Sequence, residues 1–275
     1  MKIFIVLVLF FLQILILVLL YCKYKIYISD IKYNINSIKS NIIKNNTDKN
    51  KRAQPIKKKN NILIMTYDNR SDETYVIEHN KNFTFYVNKH GYKYKFISKC
   101  NKNVYWCKLY LVYEMLKSNL YDYVMWVDSD AIVLDMDFDL NEMVNSYDCH
   151  MFFSDDNNML GFKLINAGVF IIKNSDIGIG YVMECLKHDV PQCINNETNK
   201  LNGLWAGTCY EQGIMNIVLE KYTNDNIFTI VPKSIIYNGF DLSKINKNKI
   251  LHYYATTSEE RITLFSKINK DLGIL

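Results

Sequence analysis

The sequence predicts an α/β domain with a mostly parallel sheet over residues 61–275, preceded by a membrane-spanning helix. Three observations carry that expectation. Residues 3–22, IFIVLVLFFLQILILVLLYC, are apolar apart from Gln13. From residue 61, short apolar runs alternate with helical repeats in the order β-α-β-α-β, the pattern of parallel strands joined by crossover helices. The run YDYVMWV (121–127) then leads apolar residues up to Asp128, Ser129 and Asp130. In open α/β sheets, ligands sit beyond the carboxyl ends of the strands.

The N-terminal segment is long enough to cross a bilayer, since about twenty helical residues span roughly 30 Å. It lacks the small-residue cleavage site of a secretory leader, so residues 1–25 read as a signal anchor. Lys2 precedes the segment, whereas Lys23, Lys25 and Lys32 follow it. That flank leans toward a cytoplasmic C-terminal part. Residues 26–60 show no sustained hydrophobic period and read as a basic stem. Residues 1–60 hold 12 Lys/Arg against 2 Asp/Glu, and residues 61–275 hold 21 against 26. The overall charge of +5 therefore belongs to the stem. A nucleic-acid binder is expected to carry its basic patch on the folded domain, so no nucleic-acid partner is expected.

Within the folded part, NILIMTYDNR (61–70) opens with a buried strand. Residues 74–90 form a helix that Gly91 caps, and YKYKFIS alternates as a strand. Over 104–118, Leu109, Val112 and Leu116 recur at helical spacing, as do Leu111 and Met115. The run DYVMWV alternates too little to be exposed and is a buried strand. FKLINAGVFIIKNSD (162–176) reads as two strand pieces around Asn166, Ala167 and Gly168, where Gly168 lets backbone approach a ligand or marks a bulge. In WAGTCYEQGIMNIVLEKY (205–222), a helix carries Ile214, Ile217, Val218 and Lys221, with Glu211 and Gln212 in its first turn. His252 lies in a short strand, and Thr257 and Glu260 have the spacing of a capping box for a last helix.

Asp128 and Asp130 follow a buried strand with nothing cationic beside them in sequence. Two such carboxylates repel one another, and a divalent cation relieves the repulsion. Hard oxygen ligands suit Mn²⁺ or Mg²⁺, which also take phosphate oxygens. The bland reading of Asp-Ser-Asp is a turn after a strand, and that of His252 a core residue.

Taken in order, EHNKNFTFYVNKHGYKY, YWCKLYLVYEML, YDYVMWVDSDAIV, INAGVFIIKNSD, YEQGIMNIVL and LHYY resemble glycosyltransferase family 34, nucleotide-sugar enzymes of the GT-A (Rossmann-like) fold. The resemblance spans about residues 78–254. It implies a Mn²⁺-dependent retaining transferase that moves a hexose or pentose from a nucleotide-diphosphate sugar to a glycan or glycoprotein acceptor. It implies a single-pass type II membrane protein facing the lumen of the Golgi or endoplasmic reticulum, against the lean of the charge flank, and it admits homo- or hetero-oligomers. By the same resemblance Asp128, Asp130 and His252 hold the metal, and Asp128 and Ser129 meet the donor. Glu211 and Gln212 lie near the reacting sugar, and Asn166, Ala167 and Gly168 line the donor pocket. Thr66, Tyr67 and Arg70 follow the strand where the fold receives the nucleotide. The family's diphosphate-contacting Lys, five residues after the metal-binding His, is replaced here by Thr257. Arg261, one helical turn further on, is the cation expected to take its place.

Six cysteines beyond Cys22 allow 15 pairings, and Asn45, Asn69, Asn82 and Asn196 satisfy N-x-[ST]. Of these, Asn82 or Asn196 is expected to be glycosylated in a lumenal domain unless it is buried. Two other functional classes fit parts of the sequence. One is a haloacid-dehalogenase-like phosphatase, which would need its Asp pair on the first strand. The other is a non-catalytic membrane partner that keeps the transferase fold.

Overall fold

The structure, a computed structural model, describes residues 59–156, 165–195, 197–198, 200–222, 226–245 and 247–274. The expected anchor, residues 26–58 of the stem, and the Asn45 and Asn196 sequons lie outside the described residues. Among the described residues, no helix is long and apolar enough to cross a membrane.

The expected elements appear in the expected order. β1 (Ile62–Tyr67) is followed by α1 (Thr74–His90). Gly91 ends that helix with φ 75°, and its N–H bonds the Val87 carbonyl; a left-handed C-cap of this kind suits glycine, which has no Cβ. β2 (Lys93–Ile97) alternates in exposure because it is an edge strand. α2 (Cys107–Lys117) buries Leu109, Val112 and Leu116, and β3 (Tyr123–Val127) is buried throughout. Then come β4 (Ala131–Val133), α3 (Leu140–Asn145), β5 (Met151–Asp155), β6 (Ile165–Lys173), α4 (Asp176–Leu186), α5 (Glu211–Leu219), β7 (Phe228–Val231), β8 (Ile236–Asn238), β9 (Ile250–His252) and α6 (Ser258–Asp271).

Six strands form one sheet in the order β2-β1-β3-β6-β5-β7. Only β6 runs against the others, so the sheet is mostly parallel. Successive side chains of a strand point to opposite faces, and both faces of this sheet are covered. Ile62, Ile64, Met125 and Val127 pack with Phe83 and Tyr86 of α1. Leu63, Met65, Val124 and Trp126 pack with Leu109 and Val112 of α2, Val182 of α4 and Met215 of α5. Such two-sided burial explains why the central strands are continuous apolar runs. The expected two strand pieces around residues 166–168 are one strand, β6, in its pairing with β3. Against β5, however, the register jumps from Phe153↔Phe170 to Ser154↔Asn166. Residues 167–169 therefore leave that ladder where the site is built.

A second sheet, β4-β9-β8, follows directly from the Asp-Ser-Asp turn. Its β4 pairs antiparallel with β9, Ala131 opposite His252, and Tyr253 N–H bonds the Asp130 carbonyl at 2.8 Å. Apolar side chains from β4, β8 and β9 pack against Tyr75 and Val76 of α1 and Phe265 of α6. Asn82 is fully buried: its amide bonds both Val133 backbone groups and Asn269. Asn82 thus falls under the exception for a buried sequon, because the folded domain leaves that side chain no access to solvent. Asn69 is exposed.

His79 of α1 anchors the same turn. Its Nδ1 donates to the Ala131 carbonyl at 2.7 Å, and its Nε2 accepts from Thr66 Oγ1 at 2.9 Å. Both bonds are made by neutral imidazole. Burial pushes the ring from its ordinary 6.5 down to about 4, although the Ala131 bond and the charges of Asp130 and Asp68 pull the other way. Between those values the unfolded chain binds the extra proton, so stability is full above about pH 6.5 and falls as pH drops toward 4. The loss is on the order of 3 kcal/mol. Urea midpoints at pH 7 and pH 5 are expected to differ clearly for the native chain and less for His79→Gln. An unchanged difference in the variant would show that other groups carry the acid sensitivity.

Candidate active site

The site lies beyond the carboxyl end of β3. Asp128 N–H bonds the Gly168 carbonyl at 2.7 Å, which joins the turn to the displaced stretch of β6. One Asp128 oxygen accepts from the Trp126 indole at 2.6 Å. Lys108, in the first turn of α2, reaches both Asp128 oxygens at 3.0 and 3.1 Å. Its ammonium also meets Glu211 Oε1 at 3.1 Å and the Ala167 carbonyl at 3.2 Å. Only 8% of that side chain is exposed, so the charge is held by these partners rather than by water. Nothing cationic stands beside the aspartates in sequence, but the fold brings cations to them. Lys108 and Arg261 both reach the pair from distant parts of the chain.

The case for a cation instead rests on hydrogen-bond bookkeeping around His252. Asn238 donates its Nδ2 to the Asp155 carbonyl, so its Oδ1 is the atom 2.9 Å from His252 Nδ1. A carbonyl oxygen accepts only, so Nδ1 carries the proton. In neutral imidazole, Nε2 then presents a lone pair. It faces Asp130 Oδ1 at 3.0 Å and Asp128 Oδ2 at 4.0 Å. Asp130 Oδ1 is buried without a hydrogen-bond donor. Asp128, Asp130 and His252 each offer one atom within 4.8 Å of the others. Lone pairs that converge from two carboxylates and an imidazole, with the second ring nitrogen fixed by an amide, fit a divalent cation.

Gly168 meets this site through His252 rather than through a ligand. A Cβ at Gly168 would lie 2.0 Å from the imidazole Cε1 and 2.4 Å from Nε2. Asn166 Oδ1 accepts from Gly168 N–H at 2.8 Å, and its amide donates to Asp156. Ala167 N–H donates to Gln212 Oε1 at 3.0 Å. Residues 166–168 therefore frame the site with backbone groups that its own side chains occupy.

Glu211 opens α5 and is buried; burial raises its carboxyl and Asp128 adds to that, while Lys108 pulls it down, for a net rise. Its Oε2 is buried and unpartnered. Arg261, one turn into α6, pairs with Asp130 Oδ2 at 3.1 Å and lies over the Tyr75 ring, with its Nε unpartnered. Burial alone would raise the Asp130 carboxyl. The charges of Arg261 and Lys108 pull it down. Thr257 caps α6 in a reciprocal box with Glu260, which engages the Glu260 carboxylate away from Arg261.

The remaining sequence candidates form a neighbouring layer. Ser129 donates to the buried Asp68 at 2.5 Å, and Asp68 accepts Arg70 through Nε and its terminal nitrogen at 3.0 and 2.9 Å. Arg70 itself is half exposed. Tyr67 is partly buried against the α2 side of the sheet. Thr66 is fully buried, with its hydroxyl on His79. Sequence reasoning missed Lys108, Asp68, His79 and Asn238. For Lys108 a signal existed, since it stands four residues before Val112 on the apolar stripe of α2, where a charge needs a partner.

The profile of the galactosyl transferase GMA12/MNN10 family matches residues 57–152, a stretch that includes Lys108, Asp128 and Asp130. Over that stretch the chain is similar to the family. The chain has no significant match among curated proteins. Its fold is that of a crystallised glycosyltransferase involved in the glycosylation of the major capsid of PBCV-1, at 12% identity and a TM-score of 0.58, over 75% of this chain and 99% of that one. Two further structures match with scores too low to support an argument. They are the glycosyltransferase GlyE of Streptococcus pneumoniae TIGR4 (14% identity, 77% and 63% of the two chains, TM-score 0.44) and the galactosyltransferase LgtC (14%, 78% and 100%, TM-score 0.38).

Proposed function

We propose that this glycosyltransferase moves a hexose or pentose, with retention, from a nucleotide-diphosphate sugar to a glycan acceptor, and that Asp128, Asp130 and His252 hold Mn²⁺ or Mg²⁺ for the reaction. The observation that carries the proposal is the pair of lone pairs, Asp130 Oδ1 and His252 Nε2, that face each other at the strand end. The bound cation would neutralise the diphosphate and so ease departure of the nucleotide. Arg261 places a second positive charge beside Asp130, where it supports the leaving group in the role that Thr257 does not fill. Glu211 directs an unpartnered carboxylate oxygen into the site, suited to receive a hydroxyl proton or to steady positive charge on the sugar. Lys108 holds its other oxygen and keeps the carboxyl oriented. Gln212 has its carbonyl engaged by Ala167 and braces α5 against β6.

Two disulfides, Cys100–Cys107 and Cys193–Cys209, support a lumenal domain, because such bonds persist in oxidising compartments. With the apolar run at 3–22, the reading is a type II anchored enzyme. The decisive test screens UDP-galactose, UDP-xylose, UDP-glucose and GDP-mannose for Mn²⁺-dependent hydrolysis, alongside titration of Mn²⁺ alone. The native protein is expected to bind the ion and hydrolyse one donor, and Asp130→Asn to lose both. Donor turnover that persists in excess chelator would overturn the metal reading.

A further inference from the structure

Beside the ion pair of Lys108 and Glu211 lies a group of rings that the proposed chemistry does not use. Trp205 is 65% exposed and Leu204 next to it 85%. The Trp205 ring packs edge-on to Tyr105 at 5.3 Å and against Tyr210 at 5.1 Å, and Tyr105 meets Tyr210 edge-on at 5.1 Å. All three rings thus touch one another. Tyr210 directly precedes Glu211, and Tyr105 stands three residues before Lys108.

Both segments that carry the rings are braced. Cys100–Cys107 closes the loop that holds Tyr105, and Cys193–Cys209 fixes the residue before Tyr210. The Trp106 indole donates to the Cys209 carbonyl at 3.1 Å and ties the two segments together. A Cβ at Gly213 would fall 2.3 Å from the Ala206 carbonyl oxygen and 2.1 Å from that of Gly207, so the chain after Trp205 is seated directly on α5. Ala206 holds φ 56°, a left-handed conformation that costs a non-glycine residue energy and clusters at ligand clamps. Rings serving only to fill space would be covered, yet Trp205 is stiffly held in the open.

We propose that Tyr105, Trp205 and Tyr210 form the platform on which a sugar ring of the acceptor stacks, with its reactive hydroxyl turned toward Glu211. This inference rests on the transfer reading above. One face of a hexopyranose presents C–H bonds, weakly positive at hydrogen, and the face of an aromatic ring is negative. A neutral sugar suits these rings, while the anionic half of the donor suits the Arg261 guanidinium and a cation held by the aspartates. Stacking also selects for ring face rather than charge, so the acceptor is a neutral glycan.

Trp205 itself reports the test. The chain has 3 Trp, and Trp106 and Trp126 are 0% and 1% exposed, so acrylamide quenches Trp205 selectively. Methyl β-galactoside, methyl α-mannoside, methyl β-glucoside and methyl β-xyloside serve as probes. At least one is expected to protect Trp205 from quenching. For that glycoside as acceptor, Trp205→Ala is expected to raise KM about tenfold and to shift turnover from transfer toward donor hydrolysis, whereas Trp205→Phe stays near the native KM. If none of the glycosides protects Trp205, or if Trp205→Ala transfers with native KM, the platform is wrong. If a glycoside protects Trp205 but the native protein neither transfers nor hydrolyses any donor, the sugar platform stands and the transfer reading fails.

Discussion

Lys108→Met is expected to lower transfer by about a hundredfold or more at pH 7, with most of the fold retained. The substitution keeps an unbranched stem one atom shorter and removes the charge. Glu211 and Asp128 are then two buried or half-buried carboxylates without their shared partner. Removing one member of a buried ion pair costs about 3–5 kcal/mol when the other stays charged. Glu211, already raised by burial, instead takes up a proton, which limits the loss of stability and removes the negative charge that faces the sugar. The sign follows from the linkage. Glu211 in the variant ionises only at higher pH, so the acid limb of the rate profile moves up and activity recovers partly toward pH 9. A purely structural Lys108 would lower the unfolding midpoint without moving that limb. A variant with native kcat and native pH profile would show that the ion pair plays no part in turnover.

Gly168→Ala carries the second large effect. The added carbon would overlap the His252 ring, which is not the loose end of a flexible chain. That ring is fixed by Asn238 through its Nδ1, and Gly168 is fixed by Asn166 and Asp128. Neither side yields cheaply, and overpacking of this kind costs about 1–3 kcal/mol. His252 is expected to leave its place. Mn²⁺ affinity, read by calorimetry without any donor, should fall as far in Gly168→Ala as in His252→Ala, with a lower unfolding midpoint as the second sign. Native Mn²⁺ affinity in Gly168→Ala would mean that the ring has another place to go and that Gly168 serves only the strand.

Much of this site could be read from the sequence because its parts obey local rules. Asp128 and Asp130 end a buried strand, Glu211 opens a helix, and the Thr257–Glu260 spacing marks the start of the last one. The place of Lys108 on an apolar stripe signalled that it needs a partner, but which partner was illegible, because the carboxylates arrive through helix-on-sheet packing. The same holds for Asn238, which matters only because β8 lies beside β9. Thr66 and Tyr67 were taken together as nucleotide-facing neighbours, but consecutive strand residues point to opposite faces. Thr66 turns under α1 to His79, and only Tyr67 looks toward the α2 side. What the sequence did not announce at Gly168 is that the place of its missing Cβ is taken by an imidazole from a strand more than eighty positions later in the chain.

The pairing of β4 with β9 also sets a timetable for synthesis. Asp128 and Asp130 leave the ribosome roughly 120 residues before His252, and at about 5–20 residues per second that is a wait on the order of ten seconds. Through that interval the nascent chain owns two carboxylates but no imidazole, and so has only part of a chelating set. On the metal reading proposed above, ion capture waits until the final helix is being made, and a message cut short before codon 252 yields a polypeptide that can build most of the large sheet yet lacks the imidazole of that set.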